Sequence, residues 1–256
     1  MKQAIVLVGL GEMGGVFARG FLRAGYPVFP VTRDMDINQA AEEIHNPLMV
    51  LVAVAENDLH PALSDLPEQW HDKLCLLQNE LLPRDWQAHD LQSPTVISVW
   101  FEKKKGQDAK VLIPSPVYGE MAEVIKASLE SIDIPVNVLN SNDDLTYELV
   151  RKNVYILTTN IAGLISGGTV SELWTSHQDL ANKVANDVMD IQEHLINDSV
   201  DRTRLITGML EAFDGDPNHN CMGRSAPARL ARALTIADEA KLDVPTLREI
   251  SGKTAA

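Results

Sequence analysis

The segment 3–14, QAIVLVGLGEMG, decides the fold of this chain because an apolar run leads directly into a glycine-rich turn. The run Ala4–Val8 has no polar residue, which is typical of a strand buried on both faces of a parallel sheet. Gly9, Gly11 and Gly14 follow in a GxGxxG pattern, and the apolar residues after them recur at helical spacing. A strand, a tight turn and a helix in this order predict the first unit of a doubly wound α/β sheet.

The three glycines have distinct roles in the phosphate-binding turn that this pattern predicts. Gly9 permits a sharp turn, Gly11 leaves backbone amides open to a pyrophosphate, and Gly14 lets the helix lie close to the strand. The positive end of the helix then faces the anion. We therefore predict a dinucleotide site that includes Glu12 and Met13. The Glu12 carboxylate is unfavourable beside a phosphate unless its side chain points to water, so we expect a lower affinity than the motif alone indicates.

A second predicted strand, 26–31 (YPVFPV), ends about 20 residues past the glycine turn, where folds of this kind recognise the adenosine ribose. An acidic residue there binds the ribose hydroxyls of NAD, whereas an arginine accommodates the 2′-phosphate of NADP. Thr32 and Arg33 occupy this position. The sequence therefore favours NADPH as the cofactor, and the neighbouring Asp34 leaves NADH open.

Further runs extend the predicted sheet beyond the second strand. Residues 48–55 (LMVLVAVA) and 73–77 (KLCLL) predict two more strands of a largely buried sheet. Residues 95–101 and 109–113 flank the polar turn KKKGQD and predict a hairpin added to that sheet. A short predicted strand at 136–139 ends this part of the chain, so the fold class is α/β with a mostly parallel sheet.

The pattern becomes all-helical at Asn142. Beyond this residue, apolar and polar positions share one helical stripe, which consists of Leu145, Leu149, Lys152, Ile156 and Asn160. Further on, Pro227 predicts the first turn of a final helix. We therefore predict a Rossmann domain for NADP over residues 1–141 and a helical domain for substrate binding or dimerisation over residues 142–256.

Composition excludes several classes of protein. The 256 residues include 22 Lys and Arg against 36 Asp and Glu, and the formal net charge of −14 disfavours nucleic acid and anionic membranes as partners. The basic cluster 103–105 is short, so we interpret it as a solvated hairpin tip. No apolar run reaches the ~20 residues that span a bilayer. The two cysteines and seven histidines form no metal-binding pattern, so we expect a cytoplasmic protein without a metal.

The motifs together resemble those of one enzyme family. With GLGEMG, the pair Gln78–Asn79, and a helix that carries Lys152 at the head of an all-helical half, the sequence resembles the ketopantoate reductases of the 6-phosphogluconate dehydrogenase-like superfamily. Gly223–Arg224 and Val244–Pro245 have the spacing of the closing stretch of that family. The resemblance implies an NADPH-dependent reductase of a small 2-oxo acid or a related carbonyl compound.

The resemblance also implies roles for three polar residues. Lys152 would be the catalytic lysine, Asn160 an asparagine that orients the substrate, and Asn79 a residue that faces the nicotinamide and the substrate. Chemistry supports the lysine independently, because hydride delivery to a carbonyl leaves negative charge on oxygen that a nearby ammonium stabilises. Helical domains of this kind often dimerise, so the expected partners are a small-molecule substrate and a second copy of the chain.

Three positions depart from the family pattern. Ile156 stands where the family has an asparagine, Pro227 where a substrate-binding glutamate is expected, and Ala55 where a cofactor-side lysine would follow the strand. These replacements remove polar contacts to ketopantoate, so the resemblance leaves the substrate open. Two alternatives remain: a β-hydroxyacid or imine-type dehydrogenase, in which the same glycine motif occurs, and an NADP-binding sensor that has lost catalysis.

Overall fold

The structure is a computed structural model that describes residues 2–254. It divides into two compact units, Met1–Leu149 and Val150–Ala256, and residues 1, 255 and 256 of the predicted domains lie outside the described residues. The first unit contains a mostly parallel sheet with helices and the second is helical, so the predicted fold class is confirmed. The predicted domain boundary coincides with the start of a 25-residue helix, and the two compact units divide within that helix.

The described residues contain strands in two sheets, both in the first unit. In chain order these strands are β1 (Ile5–Val8), β2 (Val28–Val31), β3 (Met49–Val52), β4 (Leu74–Leu76), β5 (Thr95–Ile97), β6 (Phe101–Glu102), β7 (Lys110–Val111), β8 (Ser115–Tyr118) and β9 (Val136–Val138). The main sheet has the order β2-β1-β3-β4-β5-β8-β9, and β6 pairs with β7 in a separate hairpin.

The register of the main sheet brings the ends of its first strands to one edge. Val8 pairs with Val31 on one side and with Val52 on the other, all in parallel strands. The chain passes from β1 outward to β2 and then returns beyond β1 to β3. The end of β1 is therefore the switch point at which open α/β sheets bind their ligands.

Helices of the first unit connect and cover the strands. They are α1 (Glu12–Arg23), α2 (Ile37–Glu43), α3 (Leu59–Ser64), α4 (Pro83–Gln87) and α5 (Ala122–Glu130). Phe17 and Phe21 of α1 are fully buried in the core formed with β1. Gly20 lets α1 lie directly on α5, because a Cβ there would be 2.8 Å from the Ser128 carbonyl oxygen.

The remaining elements are helical. They are α6 (Asn142–Ser166), α7 (Val170–Ser176), α8 (Gln178–Ile196), α9 (Arg202–Gly215), α10 (Ala226–Ala240) and α11 (Pro245–Thr254). Asp187 of α8 is buried and accepts hydrogen bonds from the backbone amides of Thr246 and Leu247 at 2.8 and 3.0 Å. It thereby satisfies amides that a helix leaves unpaired in its first turn, and it ties α11 to α8.

Two sequence predictions about these elements are wrong. The first arm of the predicted hairpin, 95–101, divides into β5, which joins the main sheet in parallel with β4, and β6, which pairs with β7 outside that sheet. The antiparallel addition to the main sheet is instead β8, which pairs with β5. No pattern in the sequence marks β8 as a strand, because Pro116 lies within it and proline is uncommon inside a sheet. Pro227 does lie in the first turn of α10, but α11 follows, so α10 is not the final helix. Within residues 2–254, no helix is both long enough and apolar enough to cross a membrane.

Candidate functional site

The glycine turn at the end of β1 has the geometry that a dinucleotide phosphate requires. Gly9 adopts φ +91°, and a Cβ there would lie 2.8 Å from the Ala53 carbonyl oxygen, so only glycine fits. A Cβ on Gly14 would overlap the Gly9 carbonyl oxygen, which shows how closely α1 approaches the strand. Gly11 differs, since a Cβ there would meet no atom within 4 Å. The open side of the turn is therefore at Gly11, where a ligand can reach the backbone.

The first turn of α1 continues this open side. Gly11 is the N-cap residue and has no side chain to occupy the first backbone amides of the helix. Met13 packs against the core of the first unit, so its contribution to a ligand site comes from its backbone. Glu12 is half exposed, and its Oε2 lies 3.4 Å from Lys103 Nζ. Open amides at a helix N-terminus fit the phosphates of a dinucleotide.

The end of β2 places Thr32 and Arg33 on the surface beside the glycine turn. Gly9 donates its backbone N–H to the Val31 carbonyl oxygen at 2.9 Å, which fixes the turn to the end of this strand. Arg33 donates to Asp58 across 3.0 Å, and 89% of its side chain is exposed. An ion pair this exposed holds the guanidinium weakly. No motif in the sequence marks Asp58, whose acidic side chain follows β3.

Gln78 and Asn79 lie directly beyond β4 and connect it to the end of β3. Gln78 is buried and donates to the Val52 carbonyl oxygen at 2.7 Å, so its role is to join the strand ends. Asn79 is half buried, and its Nδ2 donates to Glu56 Oε1 at 2.9 Å. The structure thus places Asn79 at the edge that carries the glycine turn. Ala55, where a lysine was expected, begins the short turn that holds Glu56.

Lys152 is buried, with 6% of its surface exposed. Burial of α6 is not limited to the predicted stripe, because every residue from 149 to 159 is buried. The flanking polar side chains are fixed by hydrogen bonds within the helical unit: Arg151 Nε donates to the Gly208 carbonyl oxygen at 3.0 Å, and Asn153 Nδ2 donates to Gln192 Oε1 at 2.9 Å. The lysine is therefore held on a rigid and largely dehydrated stretch of helix.

Asn160 lies two turns beyond Lys152 and is half buried. Its Oδ1 accepts a hydrogen bond from Arg229 Nη1 of α10 at 3.0 Å. No local pattern in the sequence marks Arg229, because its contact with α6 depends on how α10 packs against that helix. Ile156 is buried on the same helix, and Pro227 is exposed in the first turn of α10. Neither position offers the polar group that the family pattern predicts.

These features define the first unit as a Rossmann-type domain, and comparison with known proteins identifies the fold of the whole chain. No protein-family model matches the sequence, and no curated protein matches it. Solved structures do match. The 2-dehydropantoate 2-reductase from Methylococcus capsulatus is 14% identical with a TM-score of 0.68, covering 98% of this chain and 96% of its own.

Two further structures agree with this result. A dimeric ketopantoate reductase from Staphylococcus aureus is 15% identical with a TM-score of 0.65, covering 98% of this chain and 97% of its own. D-mandelate dehydrogenase in complex with NADH is 12% identical with a TM-score of 0.65 and the same coverage. The chain therefore has the fold of the ketopantoate reductases, in agreement with the resemblance of its motifs.

Proposed function

We propose that this chain is an NAD(P)-dependent reductase of a small 2-oxo acid and that NADPH is its preferred cofactor. The observation that carries the proposal is the glycine turn at the switch point, where Gly9 and Gly14 are enclosed and Gly11 is open to a ligand. The reductases and the NADH-bound dehydrogenase that share the fold support the reaction class.

The first unit supplies the residues for the cofactor. The amides at Gly11 and in the first turn of α1 would hold the pyrophosphate. The exposed guanidinium of Arg33, only weakly held by Asp58, would bind the 2′-phosphate of NADPH, because arginine forms strong charge-assisted hydrogen bonds to phosphate. Asn79, oriented by Glu56, would orient the nicotinamide.

The helical unit supplies the proton donor. Reduction of a carbonyl adds a hydride to carbon and a proton to oxygen, and the reduced nicotinamide supplies the hydride when it is bound. We assign Lys152 as the general acid, since its ammonium can stabilise the negative charge that develops on the oxygen and then donate a proton to it. Burial strengthens this electrostatic effect because little water remains to screen it.

The pairing of Asn160 with Arg229 indicates what the substrate presents. A guanidinium only donates hydrogen bonds, so the amide oxygen of Asn160 faces Arg229. The amide nitrogen carries two N–H donors, of which one makes a long contact of 3.5 Å to Thr159 Oγ1, so one donor remains for a substrate. A donor suits the acceptor-rich head of a 2-oxo acid. Ile156 and Pro227 provide no acceptor for a substrate hydroxyl, so we propose a 2-oxo acid whose side chain lacks one. We also propose a homodimer, as in the dimeric reductase of the same fold.

A binding and turnover assay tests this function. The purified protein is titrated with NADPH and NADH by fluorescence, and NADPH oxidation is then followed with a panel of 2-oxo acids. We expect binding of NADPH, turnover with at least one oxo acid, and loss of that turnover in Lys152→Met while NADPH still binds. Lys183→Met, which changes an exposed lysine of the helical unit, is the matched control and should retain activity.

The assay also separates the rival interpretations. NADPH binding without turnover of any oxo acid would favour the sensor. The second enzyme class would be favoured if the protein oxidised NADPH with imines alone, or reduced NADP⁺ with 3-hydroxy acids alone, in two further assays. Absence of binding to either dinucleotide would refute the proposal as a whole.

A further inference from the structure

The β6–β7 hairpin carries a lysine that contacts α1, the helix that follows the glycine turn. Lys103 Nζ lies 3.4 Å from Glu12 Oε2 in the first turn of α1, and only 21% of the Lys103 side chain is exposed. The prediction that the basic cluster is a solvated tip is therefore wrong for Lys103, although Lys104 and Lys105 are exposed.

Further contacts fix the position of the Lys103 ammonium. Its Nζ donates to the backbone carbonyl oxygens of Lys104, at 3.0 Å, and of Gln107. Together with Glu12, these acceptors match the number of N–H donors that an ammonium carries. The hairpin thus delivers one cation to one carboxylate with little freedom to move.

Glu12 has two opposite effects at its position. A carboxylate in the first turn stabilises a helix by interacting with the positive end of its dipole. The same negative charge repels the phosphates that this helix end would otherwise attract. A glycine turn with an acidic residue at this place therefore needs a nearby cation to bind a dinucleotide well.

A cavity of about 560 Å³ lies between the glycine turn and the hairpin. Gly11, Glu12 and Lys103 line it, and its other charged residues are Arg19, Asp108 and Asp133. Because these three add more negative than positive charge, they do not offset Glu12. Lys103 is the cation in this lining that forms an ion pair with Glu12.

We propose that Lys103 is a positioning residue for the dinucleotide site, where it acts by neutralising Glu12. The hairpin, rather than the glycine turn alone, then sets the affinity for the cofactor. This inference rests on the proposed function, since it assumes that a nicotinamide dinucleotide binds at the turn. Lys103 acts through Glu12, so its removal weakens binding only while the Glu12 carboxylate is present.

The test is a double-mutant cycle on NADPH affinity, measured by fluorescence titration. Lys103→Met should weaken binding about fivefold, as expected for an uncompensated charge near the phosphates. Glu12→Gln should bind at least as tightly as the parent, and adding Lys103→Met to it should change affinity by less than about twofold. The loss in Lys103→Met should shrink at high salt, because salt screens the repulsion.

Three further variants serve as controls. Lys103→Gln keeps an N–H donor for the hairpin carbonyls but removes the charge. Because the proposed effect depends on the charge, Lys103→Gln should weaken NADPH binding as much as Lys103→Met. Lys103→Arg should bind like the parent, and so should Lys105→Met, which changes an exposed lysine of the same hairpin. If Lys103 only stabilised the hairpin, Lys103→Met would weaken NADPH binding by the same factor in the parent and in the Glu12→Gln background.

The outcomes are distinguishable from those of the proposed function. If the parent binds no dinucleotide, the proposed function fails and this inference fails with it. The inference is overturned, while the proposed function stands, if Lys103→Met and Lys103→Gln both bind NADPH as tightly as the parent. The same holds if the loss of affinity in Lys103→Met is unchanged in the Glu12→Gln background.

Discussion

Asn160 Oδ1 accepts a hydrogen bond from Arg229 Nη1 at 3.0 Å, which joins α6 to α10 in the helical unit. The two residues are 69 positions apart in the chain. Arg229 thereby fixes the orientation of the Asn160 amide, which we propose contacts the substrate.

We expect Arg229→Met to raise KM for the oxo acid and to lower kcat/KM about tenfold, because a hydrogen bond from a charged group contributes about 1.5–3 kcal/mol. Affinity for NADPH should not change. Arg229→Lys keeps a cationic donor and should recover part of the loss, whereas a purely packing role would leave both variants alike. Steady-state kinetics with NADPH titration measure both effects, and an unchanged KM in Arg229→Met would contradict the assignment.

The glycine turn allows a matched pair of substitutions. Gly11→Val should abolish dinucleotide binding and leave the protein folded, because its side chain projects into open space that the pyrophosphate needs. Gly14→Val should destabilise the protein itself, because its Cβ overlaps the Gly9 carbonyl oxygen. Thermal melting and NADPH titration of both variants test this. Retained binding in a folded Gly11→Val protein would place the site elsewhere.

Cofactor preference should depend on Arg33. NADPH should bind more tightly than NADH to the parent, and Arg33→Ala should remove most of that preference by weakening NADPH binding about tenfold, with little change for NADH. Arg23→Ala, at the exposed end of α1, controls for a general loss of positive charge. The assignment of Arg33 is wrong if the parent shows no preference, or if Arg33→Ala keeps it.

Ketopantoate should be a poor substrate. In the proposed site, Ile156 and Pro227 would leave its hydroxyl without a partner. Each unpaired buried group costs about 1–3 kcal/mol, or about one to two factors of ten in rate. We expect a 2-oxo acid that lacks the hydroxyl to be reduced faster at equal concentration. A kcat/KM for ketopantoate of ~10⁴ M⁻¹s⁻¹ or more, within the ordinary enzyme range, would rule this out.

The cap on α11 predicts a change in stability. Asp187→Ala should lower the free energy of unfolding by about 1–3 kcal/mol, because the amides of Thr246 and Leu247 lose their acceptor. Lys183→Ala, an exposed change in the middle of the same helix, should have little effect. Urea unfolding measures both, and equal losses in the two variants would contradict the capping role.

The same carboxyl also predicts a pH dependence. Burial raises the pKa of Asp187 above its ordinary value, so the fold favours the protonated form. The stability from this preference is present below the unfolded-state pKa and is lost as the pH rises through the folded-state pKa. As the pH falls from about 7 to about 4, the free energy of unfolding of the parent should therefore increase relative to that of Asp187→Asn. The same urea unfolding at both pH values checks this.

The sequence by itself determined the fold class, because its strongest signals are local. The apolar run before the glycines predicts a buried parallel strand, and the long helical period after Asn142 predicts the helical half. The roles of Gly9 and Gly14 could be predicted in the same way, since a sharp turn and a closely packed helix leave no space for a side chain. Each of these conclusions depends on residues that lie close together in the sequence.

Only the tertiary structure decided how side chains from distant segments meet. Arg229 reaches Asn160, Lys103 reaches Glu12, and β8 joins the sheet in spite of its proline. No periodicity in the sequence records such pairings, because they depend on which elements pack together and on which face each side chain then lies. The glycine turn could therefore be predicted from the sequence. The contacts of Lys103 with Glu12 and of Arg229 with Asn160 could not.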